Sequence, residues 1–258
     1  MNYFEKWGVK MKDELREQLK YCRLSGILER YDDILQEAKR NDWDNERFFE
    51  TLIQCEVLSR GNNRFQRLLH QAKFPNLKTI DQFDFSQAPY LSKKEILELS
   101  QCKFIEEKTN LLFLGSPGAG KTHISIAIGI QACKKGKTVS FFTAANLGNL
   151  LVEMQEERQL TKFQKKLSKV DLLIIDELGY VQLSDQVTQL MFQIFSERYE
   201  KGSILVNSNL EFAEWAKIFH DERMTAAIID RLIHNSKIIL FNGESYRYRN
   251  QRREIQGN

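Results

Sequence analysis

Eight consecutive residues near the middle of the chain have the spacing of a phosphate-binding loop. Residues 115–122 fit the pattern G-x-x-x-x-G-K-[ST] without mismatch. Because glycine has no Cβ, successive backbone N–H groups can turn inward around phosphate oxygens, and a following helix adds its positive N-terminal end. Lys121 is expected at the β- and γ-phosphates of ATP, and the Thr122 hydroxyl is expected to ligate Mg²⁺. The residues predicted to contact the nucleotide are Gly115, Ser116, Pro117, Gly118, Ala119, Gly120, Lys121, Thr122 and His123.

An acidic pair, Asp176 and Glu177, comes directly after the apolar segment Leu172–Ile175. This is the arrangement of the second motif of P-loop ATPases, in which Asp176 would hold Mg²⁺ through water and Glu177 would polarise the attacking water. An acidic pair after a strand can also cap a helix, but the presence of a phosphate-binding loop in the same chain favours the catalytic interpretation. The adjacent glutamate also favours hydrolysis of ATP over transfer of phosphate to a second substrate.

Three further polar residues are candidates for a role in turnover. Asn207 and Asn209 follow the apolar segment Ile204–Val206. A side chain there can reach between the two earlier motifs and orient the water, although asparagines at this position can also form a turn. Arg231 follows a helical stretch and could stabilise γ-phosphate charge in a neighbouring subunit, as an arginine finger does. The alternative is a surface arginine paired with Asp230.

Alternating apolar strands and helices must position these residues. The predicted strands are Leu111–Leu114, Val139–Phe142, Leu172–Ile175 and Ile204–Val206, and the predicted helical segments are Thr122–Cys133, Leu147–Leu167 and Gln186–Tyr199. Continuous apolar strands that alternate with helices indicate an α/β fold with a parallel sheet covered on both faces.

The N-terminal part of the chain has a different pattern. Apolar residues recur at helical spacing from about residue 10 to residue 73, which predicts a small all-α domain of three or four helices over residues 1–73. The ATPase domain is expected over residues 74–258. Near the start of the second range, Thr79–Ser86 has no helical period and is expected to be an extended linker.

Composition and charge are those of an ordinary globular protein. Apolar residues make up 42% and charged residues 28% of the chain, and the net charge is +3. The four cysteines are scattered without the spacing of a zinc site, which favours free thiols in a reducing compartment. No signal peptide and no membrane span are apparent, so we expect a cytoplasmic protein without a membrane partner.

In this order, the motifs resemble those of the AAA+ ATPases of the initiator and loader group, and more narrowly the IstB-type helper ATPases that accompany transposases. The resemblance extends over almost the whole chain, from about Leu15 to Arg249. The segments that carry it are 74–75, 77–79, 83–85, 118–123, 172–180, 208–210 with 214–215, 230–234 and 243–247.

The resemblance implies an AAA+ domain with a five-stranded parallel sheet, in which Asn209 is the first sensor, ahead of Asn207. It implies that Arg231 acts in trans, so that a homo-oligomer completes its active sites at subunit interfaces. It also implies ATP-dependent binding of double-stranded DNA without marked sequence preference, and delivery of a target site to a cognate transposase. Too few residues follow Arg231 for a helical lid domain, and Arg247 is a candidate for the role of the lid arginine.

Two basic stretches could contact DNA phosphates. One has no acidic residue between Ser59 and Asp81, and the other is the arginine- and tyrosine-rich tail at residues 246–253. Such stretches are often simply solvated faces. The alternative functions are a DnaC-like replicative helicase loader, and a scaffold that binds ATP but scarcely hydrolyses it.

Overall fold

The chain divides into two compact units, Met1–Arg67 and Leu68–Asn258, which we describe separately. The structure is a computed structural model, and it describes residues 11–219 and 221–243. Arg247 and the basic tail lie outside these residues. None of the helices in the described part of the chain is long and apolar enough to cross a membrane.

Three helices, α1 (Asp13–Tyr21), α2 (Ser25–Arg40) and α3 (Asn45–Ala72), form the N-terminal region, and α3 continues past the division between the units. Their apolar faces bury a small core, as amphipathic helices do in water. This core consists of Met11, Leu19, Ile27, Ile34 and Leu52. The prediction of an all-α N-terminal region is confirmed.

The helix α2 begins without a side-chain cap of its own. Instead, the buried carboxylate of Glu56 on α3 accepts hydrogen bonds from the backbone N–H groups of Gly26 (2.7 Å) and Ile27 (3.2 Å). Arg60 donates to the other oxygen of Glu56 at 2.7 Å. Glu56 therefore satisfies the orphan donors of α2 and joins the two helices.

A five-stranded parallel sheet forms the centre of the second unit. Its strands are β1 (Asn110–Gly115), β2 (Val139–Thr143), β3 (Leu172–Leu178), β4 (Ser203–Ser208) and β5 (Ser236–Phe241). They lie in the order β2-β3-β4-β1-β5, and each neighbouring pair is parallel. The predicted parallel α/β architecture is confirmed. All carboxyl ends lie at one edge of the sheet, which is where ligands bind in open α/β folds.

Helices cover both faces of the sheet. The α-helices are α4 (Lys93–Leu99), α5 (Lys103–Glu106), α6 (Lys121–Lys134), α7 (Ala144–Glu156), α8 (Leu160–Leu167), α9 (Asp185–Arg198), α10 (Ala216–Phe219) and α11 (Glu222–Ile233). Side chains of α7, α9 and α11 share one core with the sheet residues Leu112, Leu173 and Val206. On the opposite face, α6 approaches so closely that a Cβ at Gly129 would lie 3.0 Å from Ile174 Cδ1.

The segment that we expected to be an extended linker, Thr79–Ser86, is not extended. It forms most of two 3-10 turns, Ile80–Gln82 and Phe85–Gln87. The side chains of Thr79 and Gln82 form a capping box around the first turn, and Asp84 accepts a hydrogen bond from the Ser86 N–H at 3.0 Å. Side-chain caps stabilise turns too short to show any hydrophobic period, which is why the pattern missed them.

Candidate functional site

The loop between β1 and α6 needs its glycines for conformation and for space. Gly115, Gly118 and Gly120 have φ of +137°, +77° and +101°, which side-chain-bearing residues rarely adopt. A Cβ at Gly115 would lie 2.3 Å from the Phe241 carbonyl oxygen. At the start of α6 the first backbone N–H groups have no partner in the helix, so this end of α6 can bind an anion.

Lys121, the first residue of α6, is buried against the loop that precedes it. Its Nζ donates to the carbonyl oxygens of Gly115 (2.5 Å) and Ser116 (2.9 Å). Burial lowers the pKa of the ammonium to about 8, against the opposing attraction of Asp176. A phosphate at this loop would replace carbonyl partners of Lys121 with full negative charge.

Asp176 connects three elements at the carboxyl edge of the sheet. Its Oδ1 accepts hydrogen bonds from Thr122 Oγ1 (3.1 Å) and from Asn207 Nδ2 (2.8 Å), and also from the Glu177 N–H. Ser125 Oγ donates in turn to Asn207 Oδ1 at 2.7 Å. Because Thr122 and Asp176 bring together hard oxygen atoms beside a phosphate cradle, this donor set fits Mg²⁺.

Glu177 lies in an irregularity of β3, where the pairing with β4 shifts between Ile175 and Leu178. Its φ is +61°, an uncommon conformation for a residue with a side chain, and the residue is exposed while Asp176 is buried. The bulge thus separates the two acidic side chains: one is held in the hydrogen-bonded cluster and the other faces solvent. Such strained positions are frequent at functional sites.

The structure gives the two candidate asparagines different surroundings. Asn207 lies within β4, and its side-chain amide donates a hydrogen bond to Asp176. In contrast, the buried Oδ1 of Asn209 has no hydrogen-bond partner among residues 11–219 and 221–243. Asn209 lies beside the turn after Glu177, since a Cβ at Gly179 would lie 2.8 Å from that oxygen. An unsatisfied buried oxygen of this kind needs an explanation, and a water or ligand atom would provide one.

Arg231 is half-buried on α11, and its contacts within the described part of the chain are local. Its Nη1 donates to the Ala227 carbonyl at 2.8 Å, and its guanidinium lies 4.7 Å from the centre of the Phe192 ring. These contacts fix the side chain on the surface formed by α9 and α11. The structure does not bring it into contact with the phosphate loop of its own chain.

The segment 79–90, which no motif marked as part of the site, contacts the phosphate loop. A Cβ at Gly120 would lie 2.6 Å from Phe83 Cε2, and Tyr90 Oη donates to the Ala119 carbonyl at 2.8 Å. The ring of His123, which we expected at the nucleotide, contacts this segment through a 2.8 Å bond between Nε2 and the Thr79 carbonyl. In the sequence, a contact of this segment with the site was indicated only by its aromatic residues, Phe83, Phe85 and Tyr90.

This environment favours the neutral form of the His123 imidazole. Burial lowers its pKa, and the carbonyl of Thr79 only partly opposes that effect, while the charge of Lys78 lowers it further. A carbonyl oxygen can only accept a hydrogen bond, so the Nε2 atom that contacts the Thr79 carbonyl must carry the proton. The backbone N–H of His123, at the start of α6, is still placed for an anion.

The sequence profile of IstB-like ATP binding proteins matches residues 17–254. The chain belongs to this family. A relative from Geobacillus stearothermophilus, provisionally named as the ATP-binding protein of insertion sequence IS5376, is 37% identical over 94% of this chain and 96% of its own. Another from Pseudomonas aeruginosa, provisionally named as the ATP-binding protein of insertion sequence IS21, is 34% identical over 93% of this chain and 91% of its own.

Solved structures of other proteins have the same fold. DnaA from Aquifex aeolicus with bound AMPPCP superposes with a TM-score of 0.56 at 19% identity, over 72% of this chain and 57% of that one. DnaI superposes with a TM-score of 0.52 at 18% identity, over 70% of this chain and 92% of that one. These likenesses show that the IstB-like chain has the AAA+ fold of DnaA-like proteins.

Proposed function

We propose that this IstB-like chain hydrolyses ATP, assembles on double-stranded DNA without marked sequence preference, and delivers that DNA to a partner transposase of an insertion sequence. The observation that carries the proposal is the extensive likeness to ATP-binding proteins of insertion sequences. The cluster of Thr122, Asp176 and Asn207 supports the nucleotide part of it. We also propose that residues 1–73 and 74–258 are separate functional domains.

Hydrolysis requires the two acidic residues to act differently, and their surroundings support this. Mg²⁺ would neutralise phosphate charge when it is bound, and Thr122 and Asp176 are the residues that would hold it. Lys121 stabilises negative charge on the phosphates, and Asn207 keeps Asp176 oriented. The exposed carboxylate of Glu177 polarises the attacking water, and Asn209, one turn away, completes the water site.

The position of Arg231 supports an active site shared between subunits. Among the described residues, the recorded contacts of Arg231 are with α9 and α11, which favours a γ-phosphate on another copy of the chain as its target. In such a site the transition-state charge is stabilised only after assembly. ATP hydrolysis is therefore coupled to a homo-oligomer.

A basic surface on α8 supports DNA binding in the ATPase domain. No acidic residue occurs from residue 158 to residue 170. Five basic residues in this range are all exposed: Arg158, Lys162, Lys165, Lys166 and Lys169. Because an oligomer repeats this surface along a duplex, several phosphates would be contacted at once, and affinity would fall steeply with salt.

A mobility shift on random-sequence duplex DNA, with ATP, ADP or no nucleotide across a salt series, tests the proposal. We expect ATP-dependent retardation, with affinity falling about 0.9 log units per log unit of salt for each phosphate contacted. The double variant K165E/K166E should bind at least ~10-fold more weakly, because two repeated contacts are reversed. A matched control is K134E/K135E, which reverses two exposed lysines at the end of α6.

Two results would contradict the proposal. Retardation of single strands but of no duplex in any nucleotide state would favour the helicase-loader alternative. The delivery step has its own test: we expect the transposase of the same insertion sequence to stimulate ATP turnover on duplex DNA. If turnover stayed unchanged with that transposase, the delivery step would have to be abandoned.

A further inference from the structure

One aromatic ring lies directly against the side chain of Arg231. The guanidinium carbon of Arg231, on α11, lies over the ring of Phe192, on α9, at 4.7 Å from its centre. Both side chains are half-buried. At this distance the negative face of the ring attracts the cation, and the attraction is stronger where water is partly excluded. The contact therefore ties a charged group of one helix to a ring of another.

A backbone hydrogen bond holds the same guanidinium from a second direction. Nη1 of Arg231 donates to the Ala227 carbonyl, one turn earlier on α11, at 2.8 Å. A planar guanidinium that lies over a ring and donates from its edge has a defined plane as well as a defined position. The group has five N–H donors, and this bond uses only one of them. The ring covers a face of the guanidinium, whereas hydrogen bonds to a phosphate leave from its edge.

The described residues provide no acidic partner for Arg231. The alternative interpretation of this residue, an ion pair with Asp230, is not found, because none of the ion pairs in the described part of the chain includes Arg231. A phenyl ring can hold a cation without adding a full negative charge that would compete with a phosphate. A carboxylate in the place of Phe192 would hold the arginine too, but would offset the charge that a finger needs.

We propose that Phe192 is a positioning residue for ATP hydrolysis: it holds Arg231 in the orientation that meets the γ-phosphate bound by a neighbouring copy of the chain. Phe192 acts through the arginine and does not touch the nucleotide. The inference rests on the proposed role of Arg231 as a finger in trans, and it adds the residue that orients this finger. Orientation matters because a small displacement of a group that meets the reacting phosphate lowers the rate strongly.

Packing by itself does not require an aromatic residue at position 192. Phe192 is partly buried at the margin of the core that the sheet shares with α7, α9 and α11. Leucine would cover this margin with an apolar side chain, but it has no π face to attract a cation. Phe192→Leu therefore removes the contact with Arg231 and keeps most of the packing, whereas Phe192→Tyr keeps both.

Steady-state turnover with Mg²⁺·ATP is the first measurement. Phe192→Leu should lower kcat about 10-fold and leave KM within about twofold, because the finger is needed in the transition state and the phosphate loop binds ATP without it. Phe192→Tyr should stay within about twofold of the wild type. Tyr199→Leu is the matched control: it removes a ring contact with His234, at 5.5 Å between centres, that joins the end of α9 to the end of α11 without Arg231. Its kcat should change less than about twofold.

Mixtures of two inactive chains locate the effect. When Glu177→Gln is mixed with Arg231→Ala, a working site takes its finger from the first chain and its glutamate from the second. Phe192→Leu added to the Glu177→Gln chain should lower the recovered activity about 10-fold. The same substitution added to the Arg231→Ala chain should leave the recovery within about twofold, because that chain supplies no finger. A purely structural defect would lower the recovery whichever chain carried it.

Several outcomes would overturn the inference while the finger itself stands. A wild-type kcat in Phe192→Leu would show that the ring only fills space, and a raised kcat would show that it holds the arginine away from the site. Equal losses in the two mixtures, or ATP-dependent assembly that Phe192→Leu abolishes in sedimentation, would make Phe192 a structural residue. Failure of the finger is seen separately, as wild-type turnover in Arg231→Ala or no recovery in the parent mixture, and the positioning role would fall with it.

Discussion

The side-chain amide of Asn207 donates a 2.8 Å hydrogen bond to Oδ1 of Asp176, the oxygen that also accepts from Thr122. Because Asp176 is buried, this neighbouring strand fixes the orientation of the carboxylate before any metal binds. Asn209, two residues later, instead lies beside the turn that follows Glu177. We therefore propose different roles for the two asparagines: Asn207 supports metal and nucleotide binding, and Asn209 supports the attack of water.

Substituting the two asparagines should separate these steps. Asn207→Ala is expected to weaken Mg²⁺·ATP binding about 10-fold, because the buried carboxylate of Asp176 loses a hydrogen-bond donor. Asn209→Ala should leave binding within about twofold and lower turnover ~10- to 100-fold, as loss of a water-orienting group does. Equilibrium binding of a fluorescent ATP analogue and steady-state turnover measure the two effects. Identical losses in both variants would contradict this division.

Arg231 and Glu177 should complement each other across subunits. Arg231→Ala and Glu177→Gln are each expected to bind ATP but to lose at least ~100-fold in turnover. Mixing the two inactive proteins should restore part of the activity, because some interfaces then combine an intact Glu177 with an intact Arg231. A variant carrying both substitutions, added to wild type, is the matched control and should only inhibit. Absence of any recovery over a range of mixing ratios would argue against the finger in trans.

ATP binding should take up protons near pH 8. About half of the buried Lys121 side chains are neutral there, since the pKa is lowered to about 8, and bound phosphates restore the charged form. Affinity for Mg²⁺·ATP should therefore fall as the pH rises above 8, and proton uptake should vanish near pH 6. Calorimetry in two buffers that differ in ionisation enthalpy gives the number of protons. Lys121→Arg, whose guanidinium stays charged, should show no such uptake; equal uptake in both proteins would assign the protons to another group.

The capping carboxylate of Glu56 should stabilise the N-terminal helices at neutral pH. Burial raises the pKa of this group, but the bonds from Arg60 and from the Ile27 and Gly26 N–H groups outweigh that effect and leave the pKa below its ordinary value. A lowered folded-state pKa means that the stabilisation is present above the unfolded pKa and is lost as the pH falls through the folded one. Glu56→Gln should cost about 2 kcal/mol at pH 7, and less at pH 3.

Thermal and urea unfolding of the full chain at these two pH values measure that cost. Glu29→Gln, at an exposed position on α2, is the control and should change stability by less than about 0.5 kcal/mol at either pH. A Glu56→Gln cost that did not depend on pH would show that the side chain acts only through its shape.

Much of this protein could be predicted from local patterns. The glycines before Lys121 fix the loop because only glycine tolerates its positive φ angles, and four buried strands are recognisable because each is a continuous apolar run. The edge strand β5 was not among the four strands predicted one by one, although residues 238–241 are also a continuous apolar run. The acidic pair was visible, but the bulge that turns Glu177 away from Asp176 was not, because it depends on how β3 pairs with β4.

Tertiary structure alone decided which side chains meet. Ser125 and Asn207 are 82 residues apart in the chain, and no periodicity relates them. The same is true of Thr79, whose carbonyl orients His123 from 44 residues away. The sequence determined the groups that carry the chemistry, because type and local spacing dictate a phosphate loop. Their partners were decided by the order of strands in the sheet, since parallel strands distant in sequence bring their carboxyl ends to one edge.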